Sequence, residues 1–162
     1  MSLAEKQRQL VAKLAIIEDP HERLAALMSR AKKWPAPAAE HLTEEHRILG
    51  CQSRVWLTGE LESAGLAETA TGACRWRMES EAPMVKGLVA LLCELYEGAT
   101  PEAVLALEPT LFDDLGIVRM VSTTRLAGLA SVRMRMKQIA ANFATARPMN
   151  TNSADDSTTD QH

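Results

Sequence analysis

The chain is short of what would staple it, anchor it or mark it as a stand-alone hydrolase. Its 162 residues hold three cysteines, Cys51, Cys74 and Cys93, an odd number with no Cys-x-x-Cys pair. That set excludes a disulfide-stapled miniprotein and lacks the short-range ligand pairs of structural zinc. No apolar run approaches the roughly 18 residues that a membrane span needs. The strongest, around residues 88–96, is broken by Glu94 and reads as a buried helix. The N-terminus is charged at Glu5, Lys6 and Arg8 with no apolar stretch behind them, so no secretory signal is expected. The reducing cytoplasm is the expected compartment. A Gly-x-Ser-x-Gly elbow and a glycine-rich phosphate loop are both missing.

What remains is an ordinary single-domain composition, 46% apolar and 24% charged, with a net charge of −3. The charge is unevenly placed. Residues 1–118 carry 12 Lys and Arg against 18 Asp and Glu. Residues 119–147 carry Arg119, Arg125, Arg133, Arg135, Lys137 and Arg147 and no acid. Residues 148–162 carry Asp155, Asp156 and Asp160 and no Lys or Arg, with one large apolar residue, and read as a disordered acidic tail behind a domain over 1–147. The basic stretch also carries a full apolar stripe, so its charges are expected on a solvated outer face. With a net-acidic remainder beside it, nucleic acid is not an expected partner, and neither is a membrane.

Periodicity divides the chain into helices, two strands and helices again. Ser2 to Glu5 forms a capping box before Leu3, Leu10, Leu14 and Ile17 on one helical face. Asp19 and Pro20 restart a helix with a stripe of Leu24, Leu27, Met28 and Ala31, stopped at Trp34-Pro35-Ala36-Pro37. Residues 53–62 alternate, with Val55, Leu57 and Leu61 facing one way and Trp56 and Thr58 the other. Residues 72–79 alternate as well, placing Cys74, Trp76 and Met78 opposite Arg75, Arg77 and Glu79. Both predict half-buried antiparallel strands joined through residues 63–71. Pro83 opens a helix through Tyr96, Thr100 caps a short one, residues 110–115 add a turn or two, and a long helix runs over 122–145. Its inward positions are Leu126, Leu129, Val132, Met136, Ile139 and Phe143. The predicted class is α+β, a small antiparallel sheet with helices packed against it.

The cysteines differ in setting. Cys93 sits mid-helix among leucines and Cys74 on the apolar face of a strand, where a thiol is a small buried hydrophobe. Cys51 follows Gly50 and precedes Gln52 and Ser53, at the entry to the first strand. A thiol there is open to a partner, and flanking backbone N–H groups can stabilise its thiolate. Local chemistry leaves a loop cysteine without a role equally open. A metal- or cluster-binding scaffold joining Cys51 to other Cys or His ligands, with His41 and His46 nearby in sequence, is the alternative reading.

Gly50-Cys51-Gln52-Ser53-Arg54-Val55-Trp56 resembles the signature of the SufE family, whose members accept sulfur from cysteine desulfurases. Ser80-Glu81-Ala82-Pro83-Met84-Val85-Lys86-Gly87-Leu88, Leu111-Phe112-Asp113-Asp114-Leu115-Gly116 and Thr124-Arg125-Leu126-Ala127-Gly128-Leu129 resemble later family segments in the right order. The likeness spans residues 15–145. Departures are Glu81, where the family usually has Asp, His46, often Asn, and Val121 to Thr124, which lack a proline some members carry.

The resemblance implies a fold like the IscU-type scaffold, with the acceptor cysteine on a loop and its sulfur sheltered by apolar residues. It implies that Cys51 takes sulfur as a persulfide from a desulfurase of the SufS/CsdA type, which it stimulates, and relays it to a downstream scaffold for iron–sulfur cluster assembly. Gly50, Gln52, Ser53, Glu81 and Arg125 are then the expected loop and docking residues. No metal or cofactor of the chain's own is expected, the pyridoxal phosphate being the desulfurase's. Trp34 is expected as a lid on the core, and Lys86 and Gly87 at the close approach of a helix to the sheet.

Overall fold

A computed structural model describes residues 1–63 and 72–146. The elements begin where capping chemistry places them. Helix α1 (Leu3–Ala15) starts at Ser2, whose hydroxyl accepts from the Glu5 N–H at 3.1 Å. It ends before Ile17, so Leu10 and Leu14 are the leucines it buries. Helix α2 (Pro20–Ala31) starts at Asp19, whose carboxylate accepts from the His21 N–H at 2.8 Å, and it buries Leu24, Leu27 and Ala31.

Strands β1 (Val55–Glu62) and β2 (Ala73–Ser80) pair antiparallel, from Val55 opposite Ser80 to Glu62 opposite Ala73. The alternation holds: Val55, Leu57, Cys74, Trp76 and Met78 enter the core, while Arg75 and Arg77 face out. Four helices follow: α3 (Pro83–Tyr96), α4 (Pro101–Ala106), α5 (Leu111–Asp114) and α6 (Thr123–Ala146). The α+β class expected from the sequence is the class observed.

A two-stranded sheet leaves two open edges, and irregular segments close both. Along β1, Arg47 bridges Trp56 and the Ile48 N–H donates to the Val55 carbonyl at 2.8 Å. Along β2, the Met78 N–H donates to the Pro35 carbonyl at 3.1 Å, and the Cys74 N–H donates to that of Ala99 at 2.8 Å. Trp34 covers the same edge, its indole N–H donating to the Trp76 carbonyl at 3.2 Å.

The core is organised around α3. From Gly87 to Tyr96 every α3 side chain is buried except Glu94, which pairs with Arg30 of α2. Lys86 reaches the sheet, its Nζ 3.0 Å from the Glu79 carboxylate. Gly87 instead faces α2, where an added Cβ would lie 3.1 Å from the Met28 backbone nitrogen. Its small size serves helix–helix approach rather than the approach to the sheet that the sequence suggested.

Helix α6 buries Leu129, Val132, Met136 and Ala140, with Leu126, Ile139 and Phe143 packed at the margin. One of its expected surface charges is inside. Arg133 is only 6% exposed, with its guanidinium 4.4 Å from the centre of the Tyr96 ring. It donates to the carbonyls of Val104 at 2.6 Å and Leu107 at 2.8 Å, the end of α4. These helix-end carbonyls, invisible to periodicity, explain why a cation faces inward.

Among the described residues no helix is long and apolar enough to cross a membrane. The acidic segment 148–162 and its boundary at residue 147 lie outside the described residues.

Candidate functional site

The closed edge of β1 builds the site. Because Ile48 bonds back to Val55, residues 49–54 form a loop whose two ends are held together. Gly50 makes its turn with φ +92°, a left-handed conformation that side chains other than glycine's strain to adopt. The loop's exit is fastened by Ser80, whose hydroxyl donates to the Arg54 carbonyl at 2.8 Å. Arg54 and Glu81 add an ion pair at 3.5 Å.

This loop lies on α6. An added Cβ at Gly50 would come 2.6 Å from the Ser131 hydroxyl oxygen. One turn earlier on the same helix face, the Cys51 thiol meets Gly128, donating to its carbonyl with Sγ 3.3 Å from the oxygen. Cys51 is therefore half-buried rather than fully open.

The thiol borders a cleft of about 80 Å³ between the loop, α3 and α6. Val85, Leu88 and Val89 form one wall, Leu129 and Val132 the other, and Thr124 and Arg125 stand at α6's first turn. Gln52 and Ser53 complete the loop side. Arg125 also lies against the Met84 sulfur, spanning the N-terminal ends of α6 and α3.

Burial pushes the Cys51 thiol above the ordinary cysteine range, and the Arg47 cation pulls it back in part. The thiol is itself a hydrogen-bond donor, to the Gly128 carbonyl, which favours the protonated form. The resting protein thus holds Cys51 as a sheltered thiol, against the expectation of a loop-stabilised thiolate. Cys93 is fully buried and pushed up further by the same cause. Cys74 is buried in the sheet face, and no two of the three sulfurs are bonded.

Of the residues picked out from sequence, Cys51, Gln52, Ser53 and Arg125 meet at the cleft, and Gly50 shapes its loop. Glu81 does not line it; through Arg54 it secures the loop's far end. His41 and His46 do come together, with ring centres 5.0 Å apart. Among the described residues, however, no three His, Cys, Asp or Glu side chains are grouped to hold a metal.

The chain matches the SufE family, described as an Fe-S metabolism associated domain, over residues 8–140. It belongs to that family. The sulfur acceptor protein CsdE of Escherichia coli is 34% identical over 127 residues, covering 78% of this chain and 80% of that protein. An uncharacterised SufE-like protein of Rhizobium etli is 29% identical over 139 residues, covering 85% and 91%. The solution structure of a hypothetical protein from Thermus thermophilus matches with a TM-score of 0.68 at 26% identity, covering 87% of this chain and 97% of that one.

Two residues of this SufE-family site escaped sequence reasoning. Gly128 sits inside a 24-residue helix, where glycine costs about 1 kcal/mol relative to alanine, so its presence there was a readable sign of close approach. Arg47 had no such signal, because its nearness to Cys51 depends on the loop closing between Ile48 and Val55.

Proposed function

We propose that this protein accepts sulfur on Cys51 from a pyridoxal-phosphate-dependent cysteine desulfurase of the SufS/CsdA type and relays it for iron–sulfur cluster assembly. The observation that carries this reading is a half-buried thiol beside a small apolar cleft, in a chain of the SufE family. A persulfide needs what that arrangement offers: a reachable sulfur for loading and shelter from stray thiols afterwards.

In the transfer, the Cys51 thiolate attacks the outer sulfur of the donor's persulfide. A new S–S bond forms at Cys51, the donor's S–S bond breaks, and the donor cysteine leaves as a thiolate. Clearing that cysteine frees the desulfurase for another turnover, which is how the chain stimulates it. The raised proton affinity of Cys51 means that docking must loosen the Gly128 contact or bring a base or cation before attack. In this reading docking brings Arg125, which lines the same cleft, to the thiol, and Gln52 and Ser53 shape the loop presented to the partner. Gly50 and Glu81 keep that loop in its conformation. The reducing cytoplasm suits a carrier whose cysteine must return to the thiol after each delivery.

The test mixes the protein with desulfurase and free cysteine and maps added mass by peptide. A gain of about one sulfur atom on Cys51, absent in Cys51→Ser, is the required result for thiol exchange. Desulfurase turnover should rise with the native chain and not with Cys51→Ser. Labelling on Cys74 or Cys93, or stimulation that survives Cys51→Ser, would overturn the assignment.

A further inference from the structure

We infer that the groove behind the Cys51 loop, between residues 44–49 and the outer face of α6, is where the donor desulfurase is gripped, with Leu49 as its anchor. The inference rests on the acceptor reading above and adds to it the surface that supplies the affinity.

The loop has two sides. At Gly50 the chain turns with φ +92° and lies against Ser131 of α6. Cys51, after the turn, lines the cleft on the Gly128 side. Leu49, before the turn, lines a separate groove with Glu45, Arg47, Ser131, Met134 and Arg135. The thiol is half-buried, whereas Leu49 is 82% exposed.

Folding gives Leu49 nothing to pack against, yet the fold holds it in place. Its neighbour Ile48 is buried, and the Ile48 N–H is fixed to the Val55 carbonyl at 2.8 Å. That bond and the Gly50 turn decide which side chain enters the core and which stands in water. Met134, 56% exposed, lines the same groove from α6. Scattered surface apolar residues are ordinary, but two that share one groove beside a reactive loop mark a contact surface.

The rim of the groove carries both signs of charge. Glu45 is exposed on one wall, and Arg135 stands on the other. Arg135 is met by the Gln138 side-chain oxygen at 3.5 Å and, among the described residues, by no carboxylate. An apolar centre with opposite charges at its edges fits a protein surface bearing an apolar side chain, a base opposite Glu45 and an acid opposite Arg135. Glu44 and Glu45 offset Arg47 and Arg135, so the groove offers no net positive charge to a nucleic acid.

Position selects the donor as the occupant. Leu49 lies two residues from Cys51, so a protein that takes hold of the thiol's loop covers it. A second copy of this chain seated there would stand in the donor's way. Glu81 and Arg125, the docking residues that the family resemblance implies, are engaged elsewhere. Glu81 pairs with Arg54 at 3.5 Å, and Arg125 lies against the Met84 sulfur. They hold the loop and the cleft, and the groove supplies the grip.

The experiment measures binding apart from chemistry. Full-length Cys51→Ser, which cannot take sulfur, is titrated into the desulfurase by calorimetry with and without further substitutions. Adding Leu49→Ser should weaken binding about tenfold, the scale expected for a leucine that a partner buries. Leu49→Met should keep most of the affinity, because it retains the apolar bulk. Ile16→Ser removes another strongly exposed apolar side chain, outside the groove, and should change nothing. In the chain that keeps Cys51, Leu49→Ser should raise the concentration needed for half-maximal desulfurase stimulation by the same factor. Thermal unfolding should not shift, since Leu49 is exposed in the free protein. Native-like affinity in Leu49→Ser/Met134→Ser overturns the groove assignment, while sulfur loading of the native protein keeps Cys51 as acceptor. A dimer of the native chain that Leu49→Ser dissolves, with desulfurase affinity unchanged, gives the groove to a second copy and overturns it as well. A native protein that neither binds the desulfurase nor takes sulfur overturns the acceptor reading and the groove with it.

Discussion

Cys51 and Gly128, 77 residues apart in sequence, meet with the thiol donating to the glycine's carbonyl, Sγ to oxygen 3.3 Å. One helical turn along, Gly50 passes so close to Ser131 that an added Cβ would come 2.6 Å from its hydroxyl oxygen. The reactive loop is thus laid on the small-residue face of α6 rather than hung in solvent. Two physical effects follow: the sulfur is shielded, and its proton is held. Both suit the proposed sulfur carrier better than a free nucleophile, because in that role reactivity would depend on a partner lifting the loop.

Held in this way, Cys51 should alkylate slowly at neutral pH. Burial raises its folded-state pKa, so the thiolate fraction at a given pH is lower than in the unfolded chain, and the rate keeps climbing with pH until it levels off above the raised value. Arg47 works in the opposite direction, so Arg47→Gln should move the pH profile of iodoacetamide labelling at Cys51 further up. At pH 7.5 the variant's rate should fall about two- to threefold, a loss of under one pKa unit's worth of charge stabilisation. Peptide-resolved labelling checks it, and an unchanged profile would mean Arg47 does not act on this thiol.

The elements that repeat with a fixed period were legible in the sequence. Alternation at Cys74, Trp76 and Met78 and the cap residues Asp19 and Thr100 marked strand and helices because burial and capping are local demands. Family membership was legible in the motifs, and the loop residues and Arg125 drawn from them line one cleft. What pairs across irregular backbone was not. Ile48 bonding to Val55, Pro35 to Met78 and Ala99 to Cys74 obey no period, yet they close the sheet and shape the Cys51 loop. Arg133 misled for a related reason, since side-chain type announces solvent and only the nearby α4 carbonyls reveal otherwise.

Gly50→Ala should harm the loop twice. Its φ of +92° is strained for alanine by about 1–2 kcal/mol, and the new methyl would stand 2.6 Å from the Ser131 oxygen. The two effects separate in a double variant. Ser131→Ala should relieve the contact but leave the backbone strain, so Gly50→Ala/Ser131→Ala should recover part of the lost melting temperature, not all of it. Additivity of the two single effects would show that the contact does not exist.

Gly87→Ala sets helix propensity against packing. Alanine favours a helix by about 1 kcal/mol, but here its Cβ would press on the backbone of Met28, which cannot turn away as a side chain can. Overpacking of this kind costs about 1–3 kcal/mol, so the variant should be less stable in urea unfolding despite its better helix former. Gain of stability would mean that α2 and α3 have room to part.

Arg133 offers the sharpest separation of fold from function. Its guanidinium joins α6 to the end of α4 through two carbonyls and rests on Tyr96, while taking no part in the Cys51 cleft. Arg133→Met keeps the stem's packing and removes the donors, leaving the Val104 carbonyl without this partner; Leu107 keeps the Tyr96 hydroxyl at 2.7 Å. Losing buried charge-assisted bonds of this kind costs about 2–4 kcal/mol. Both carbonyls are met by the one terminal nitrogen Nη2, so Arg133→Lys should recover part of the loss, limited by the shorter reach of its ammonium. Chemical denaturation should show both variants destabilised and the methionine variant no worse than about 1 kcal/mol below the lysine one. Sulfur loading on Cys51, measured well below the melting temperature, should match the native protein in both. A loading defect without a stability defect would place Arg133 in the transfer itself and undo its assignment as a structural clamp.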